Sequence, residues 1–187
     1  ASRLTANTTS PLAAVVTGAA ARYHDAMGRL ALHEGTAAAF DIVTAANGVA
    51  AGGGFEIALL SHVRLATPEA RFLMAEINIG LPCIVGSFLV QGHLFYSRMV
   101  EILLSGRTLP AREAREIGMV HRIVPRGRLA AAALAAAKEL AAKPPFAMRL
   151  NIRRFNALRR AAMDRVGVEE ALHRLHSEAL RSGEPQQ

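Results

Sequence analysis

The sequence predicts an α/β fold, with short buried strands in its first part and helices through most of the remainder. Three observations carry this reading. Apolar runs of strand length at residues 12–17, 42–46 and 62–66 are each closed by a glycine or proline breaker. A glycine-rich turn, Asn47-Gly48-Val49-Ala50-Ala51-Gly52-Gly53-Gly54, joins the second of these runs to a helical pattern that opens at Phe55-Glu56. From residue 85 onward, apolar residues recur every three or four positions. Strands first and helices last describe a stacked βα core followed by a helical appendage.

In chain order, residues 12–17 form a strand that ends at Gly18, and residues 19–34 carry a helical pattern marked by Tyr23, Met27, Leu30 and Leu32. Residues 42–46 are a second strand, followed by the glycine turn and a short helix. His62 to Ala66 alternates as a strand that Thr67-Pro68 breaks, residues 70–74 are another, and residues 77–80 lead into a loop through Pro82. Helices are expected over residues 85–95 and 96–104, the latter closed by Ser105-Gly106. Pro110 to Ile117 has proline near its start and Gly118 past its end, the asymmetry of helix termini. Residues 120–124 return as a strand. The alanine-rich run 129–142 strongly favours helix, and further helices are expected over 145–158 and 162–180. The tail, residues 182–187, reads as disordered. A division at 1–125, the βα core, and 126–187, the helical region, follows.

Bulk properties narrow the function classes. With 187 residues, 51% of them hydrophobic, one sizeable core is expected. No apolar stretch is long enough to span a bilayer, and Ala1-Ser2-Arg3-Leu4-Thr5 lacks the charged-then-apolar order of a secretory signal. A single cysteine, Cys83, fits a reducing compartment, so a soluble cytoplasmic protein is expected. The net charge of +7 is spread along the chain apart from Arg149, Arg153, Arg154, Arg159 and Arg160, which read as the solvated face of a helix. With 5% aromatics and no tryptophan, base-stacking platforms and hence nucleic acid are not expected. His173 and His176 alone have a metal-like spacing, without HExxH or paired cysteines beside them, and read as solvent-facing; no metal is expected. Cys83 reads as a small core residue, as do Met74, Met99 and Met119.

The glycine turn carries the chemistry. Consecutive glycines let the backbone take positive φ and approach a ligand closely. The amides that then open a helix have no intrahelical acceptor and can hold an oxyanion. Glu56 at the mouth of such a turn, with Glu76 further on, points to acid/base chemistry beside a stabilised negative charge.

These residues carry a resemblance. Asn47 to Glu56, Ala70-Arg71-Phe72, Ala75-Glu76-Ile77, Gly80-Leu81-Pro82, then Leu109, Ala111, Ala114, Gly118-Met119-Val120 and Val124-Pro125 resemble the enoyl-CoA hydratase/isomerase (crotonase) family, block after block in the family's order. The likeness runs from about Ile42 to Pro125 and continues loosely through the tail. It implies a spiral of ββα turns with a C-terminal helical region that serves oligomerisation and covers the site, assembled as a homotrimer or homohexamer. It implies an acyl-CoA thioester as substrate and no further cofactor. It places Glu56 and Glu76 on the two family glutamates and Gly53 on the position whose amide donates to the thioester oxygen. Retention of both glutamates favours hydration of a 2-enoyl-CoA to the 3-hydroxyacyl-CoA. An isomerase, another acyl-CoA lyase or hydrolase, or a non-catalytic acyl-CoA-binding member are the alternatives.

Three departures accompany the resemblance. Family members place a second oxyanion amide, and part of the adenine contact, in a short Ala/Ser-Gly-x-Asp segment soon after the strand ending here at Gly18. Here Thr17-Gly18 runs directly into Ala19-Ala20-Ala21-Arg22-Tyr23-His24, so no residue is assigned as the second donor. Stretches missing from this sequence between about Gly18 and Tyr23, and before Ala1, are the favoured explanation over true loss. His62 stands where members commonly carry aspartate. The segment Leu81-Pro82-Cys83-Ile84-Val85-Gly86-Ser87 replaces the usual glycine-rich loop that shapes the acyl pocket.

Overall fold

The computed structural model of the chain describes residues 14–17 and 42–182. The helical pattern of residues 19–34, with His24 and His33, the segment after Gly18 and the tail from residue 183 lie outside the described residues.

Two sheets make up the spiral. Strands β1 (Ala14–Thr17), β2 (Ile42–Ala46), β4 (Val63–Ala66) and β7 (Arg122–Ile123) form a parallel sheet in the order β1-β2-β4-β7. Strands β3 (Val49–Ala51), β5 (Arg71–Leu73) and β6 (Leu109–Pro110) form the other, β3 parallel and β6 antiparallel to β5. Among the described residues, seven helices alternate with and follow these strands: α1 (Gly53–Leu60), α2 (Ile84–Gln91), α3 (Tyr96–Ser105), α4 (Ala111–Glu116), α5 (Leu129–Ala141), α6 (Pro145–Arg165) and α7 (Val168–Ser182). The predicted α/β class with a helical C-terminal region is what is observed.

Each face of the parallel sheet is covered, as a parallel sheet requires. Val43, Ala45 and Leu65 pack against Leu129, Ala133, Ala136 and Ala137 of α5. The small alanine side chains let the helix lie close to the strands. Ala66 faces the other way, into the larger core with Phe55, Phe72, Met74, Ile102, Leu109 and Met119. Val168 at the head of α7 joins that same core, so the helical region is anchored to the spiral through α5 and again through the start of α7.

Several boundaries differ from expectation. The last two helices divide at Val166-Gly167 and not at residues 158–162, because Arg159 to Ala162 contains no breaker whereas Gly167 takes φ 62°. Helix α2 ends at Gln91, before the expected residue 95, since Phe95 is extended ahead of α3. Strands β3 and β6 were not expected: three and two residues long, they show no period of their own and exist by pairing with β5.

Arg64 is 5% exposed, and its guanidinium donates to the carbonyl oxygens of Met119 and Ser61, both at 2.6 Å. Burial, and next the Arg159 guanidinium, push its pKa down to about 10. Arg149 and Arg159 are half-buried, a correction to their assignment to a solvated face, whereas Arg153, Arg154 and Arg160 are exposed. Burial, with Arg64 adding to it, pushes His93 down to about 4, and His93 is neutral at neutral pH.

Candidate active site

The pairing of β3 with β5 builds the site. It brings Gly52 to the end of β5, where its N–H donates to Leu73 O at 2.9 Å. Gly52 has φ 48° and ψ −121°, a conformation open to glycine and strained for any side chain. Its carbonyl accepts from the amides of Phe55 (2.9 Å) and Glu56 (3.0 Å), turning the chain into α1. Gly53 and Gly54 are the first helical residues, so their amides lie at the end of α1 that is positive in the helix dipole. Glu56 lies in the first turn and is only 3% exposed. Phe55 beside it is fully buried against Phe72, which locks this first turn to β5.

The chain leaving β5 supplies the second carboxylate. Glu76 opens a 3₁₀ helix, Glu76–Ile79, where a loop was expected. Gly80, at φ 71°, closes it, and Leu81 N–H donates back to Glu76 O at 2.9 Å. Asn78 Nδ2 donates to Gly106 O at 3.0 Å, which ties this short helix to the end of α3. A Cβ on Gly106 would stand 2.5 Å from Asn78 Oδ1 and 2.7 Å from Ile77 Cγ2, so the missing side chain makes room for that contact.

The outcome is convergence. A carboxylate oxygen of Glu56, one of Glu76 and the Sγ of Cys83 all lie within 4.8 Å of one another. Glu76 rests over the glycine turn: a Cβ on Gly52 would be 2.7 Å from its Oε1. Glu76 Oε2 is buried and has no hydrogen-bond partner among the described residues. Gly86 packs against Cys83, Met74 and Glu56, where a Cβ would come within 3.2 Å of Glu56 Oε1. Cys83 is thus half-buried at the head of α2 beside the two carboxylates, and not the simple core residue expected from its sequence context. Burial, then the charges of Glu76 and Glu56, push its thiol up to about 12.

All three residues singled out in the sequence, Gly53, Glu56 and Glu76, fall in this one region. Cys83, Gly86 and the Asn78–Gly106 tie were not anticipated. Cys83 reaches the carboxylates only through the left-handed turn at Gly80, which no periodicity in the sequence reveals.

Chemically, two carboxylate oxygens no more than 4.8 Å apart can share a single bridging water. Two hydrogen bonds of ~2.8 Å at a water's tetrahedral angle span roughly 4.6 Å. In the Gly52→Ala variant, the strained φ and the contact with Glu76 are expected to cost about 1–3 kcal/mol of stability. Urea unfolding measures this, and an unchanged midpoint would show that the turn tolerates a side chain.

Comparison with known proteins adds the following. The family model described as enoyl-CoA hydratase/isomerase matches residues 24–182. A relative described as probable enoyl-CoA hydratase EchA12, from Mycobacterium tuberculosis, is 40% identical over 102 residues, covering 54% of this chain and 36% of its own length. The 1,2-epoxyphenylacetyl-CoA isomerase of Escherichia coli is 33% identical over 124 residues, 66% of this chain and 47% of its own. The chain thus spans between about a third and a half of the length of these curated relatives. Among solved structures, ThnE from S. clavuligerus superposes with a TM-score of 0.72 at 28% identity, over 84% of this chain and 80% of that one. No helix among the described residues is long and apolar enough to cross a membrane.

Proposed function

We infer the activity from one premise: the chain belongs to the enoyl-CoA hydratase/isomerase family. Within it, we propose hydration of a 2-enoyl-CoA to the 3-hydroxyacyl-CoA. The observation that carries this reading is the approach of the Glu56 and Glu76 carboxylates to within 4.8 Å beside the glycine-opened helix α1.

The proposed chemistry uses both. The thioester oxygen accepts from the Gly53 amide, where the N-terminal end of α1 favours the negative charge that builds as the enolate forms. A water held between the carboxylates adds its oxygen to the β-carbon while one carboxylate takes its proton. The other, entering the step as the carboxylic acid, delivers its proton to the α-carbon as the enolate collapses, and the proton taken from water replaces it in the pair. Which glutamate plays which part is not assigned. A second reading is double-bond isomerisation with Glu76 alone shuttling the proton, supported by a family description that covers isomerases as well as hydratases. Assembly as a homotrimer or homohexamer belongs to this reading, with the exposed Phe146, Leu150, Phe155 and Leu158 of α6 as apolar surface for subunit contact.

The test is crotonyl-CoA hydration, followed as loss of the enoyl-thioester absorbance, on protein of verified intact mass. Conversion of a 3-enoyl-CoA to the 2-enoyl-CoA that survives in the Glu56→Ala variant, without hydration, would transfer support to the isomerase reading. Acyl-CoA binding without any turnover would indicate a non-catalytic member.

A further inference from the structure

We propose that Glu56, Glu76 and Cys83 form a binding site for a thiophilic divalent cation of the zinc class, and that its occupation blocks the acyl-thioester site. The three donors come from three different elements: the first turn of α1, the start of the 3₁₀ helix and the residue that heads α2. No sequence motif groups them, and the fold brings their ligating atoms within 4.8 Å of one another. Glu76 Oε2 is buried and makes no hydrogen bond among the described residues, while the Cys83 thiol hydrogen-bonds the Glu76 side chain, so a cation taking the place of the thiol proton would be held by both groups.

The donor chemistry selects the class of ion. Two carboxylate oxygens and one sulfur, with a fourth position left to water, make a three-ligand set of the kind zinc accepts. A thiolate ligand disfavours magnesium and calcium, which take oxygen donors in sets of six or more. Bonds of ~2.1 Å to oxygen and ~2.3 Å to sulfur would place tetrahedral ligands roughly 3.4–3.6 Å apart. With every present separation at or below 4.8 Å, each pair has at most about 1.4 Å to close, within reach of rotation about the side-chain bonds of all three residues. Binding is a simple exchange: the metal–sulfur bond forms as the S–H bond breaks, and the proton leaves to solvent. No oxidant or reductant is involved. Once both carboxylates ligate a cation, neither is left to hold and deprotonate water. That blocking effect rests on the function proposed above, whereas the binding itself does not.

Cobalt(II) is the probe, because its bond to a thiolate has a charge-transfer absorption in the near ultraviolet. The full chain, without substrate, is titrated with Co²⁺. The expected result is a band that saturates at one equivalent and is bleached by Zn²⁺. In Cys83→Ser and Cys83→Ala the band should vanish, and in Glu76→Gln Co²⁺ should bind at least tenfold more weakly. A thermal transition for each variant verifies that it folds. Absence of a band in the wild-type chain, or a band that survives loss of Cys83, overturns the site. With crotonyl-CoA, Zn²⁺ should inhibit and a chelator restore turnover. Hydration that proceeds unaffected by saturating Zn²⁺ overturns the blocking effect. A cobalt band in a protein that hydrates nothing would keep the site and remove the hydratase reading, so the two failures are distinguishable.

Discussion

In the Glu76→Gln protein, turnover of the 2-enoyl thioester is expected to fall by about 10²–10⁴, the usual contribution of a positioned acid or base. KM should stay close to that of the unmodified protein, because glutamine keeps the volume and leaves the acyl-CoA contacts in place. The expectation is sharp because of where the carboxylate lies. It rests on a short helix held by the Leu81 amide, the Gly80 turn and the Asn78–Gly106 tie, so the amide side chain has little freedom to reorganise. Glu56→Gln should give a loss of the same order if both groups act on one water. The double variant should then lose little more than either single one, since groups acting as a unit are not additive. Steady-state kinetics on the three proteins decide the matter. A loss of less than tenfold at Glu76 would remove it from the chemistry, and a normal hydration rate in Glu56→Gln would remove Glu56 from the two-carboxylate scheme.

The largest structural effect is expected at Phe72. Its ring is 2% exposed and meets the fully buried Phe55 ring at a centroid distance of 5.1 Å and a 43° tilt. Phe72→Ala should cost about 3–5 kcal/mol, the transfer loss of the ring plus the cavity it leaves. Urea unfolding should show a large drop in midpoint at an unchanged slope. The effect extends to the site. Phe72 is the central residue of β5, paired with Ala50 on one side and Leu109 on the other, and the next residue, Leu73, accepts the Gly52 amide. Loss of the ring loosens both the strand that positions the glycine turn and the helix turn that carries Glu56. A change in midpoint of under 1 kcal/mol equivalent would show that the core refills around the gap.

Much of this architecture is legible in the chain itself. The glycine block is readable because positive φ is a property of single residues: Gly52, Gly80, Gly106 and Gly118 all adopt it, and Gly106 and Gly118 mark helix ends where they were expected. The alanine run of α5 and the apolar strand residues Val43, Ala45 and Leu65 are readable because propensity and burial act over a few neighbouring positions. Gly167 was available to the same reasoning and was passed over in favour of a break at residues 158–162.

Other features belong to the tertiary structure. Strands β3 and β6 are too short to carry a period and are defined by a partner strand some twenty or more residues away. Arg159 sits in a run of arginines that reads as solvated, yet it is half-buried and its charge bears on the buried Arg64. Sequence alone determined the fold class and the family, and it singled out two glutamates and a glycine that the fold brings into one region. The tertiary structure decided that Cys83 joins those glutamates, because distance between side chains depends on strand register and loop closure across the whole spiral, and no local pattern encodes it.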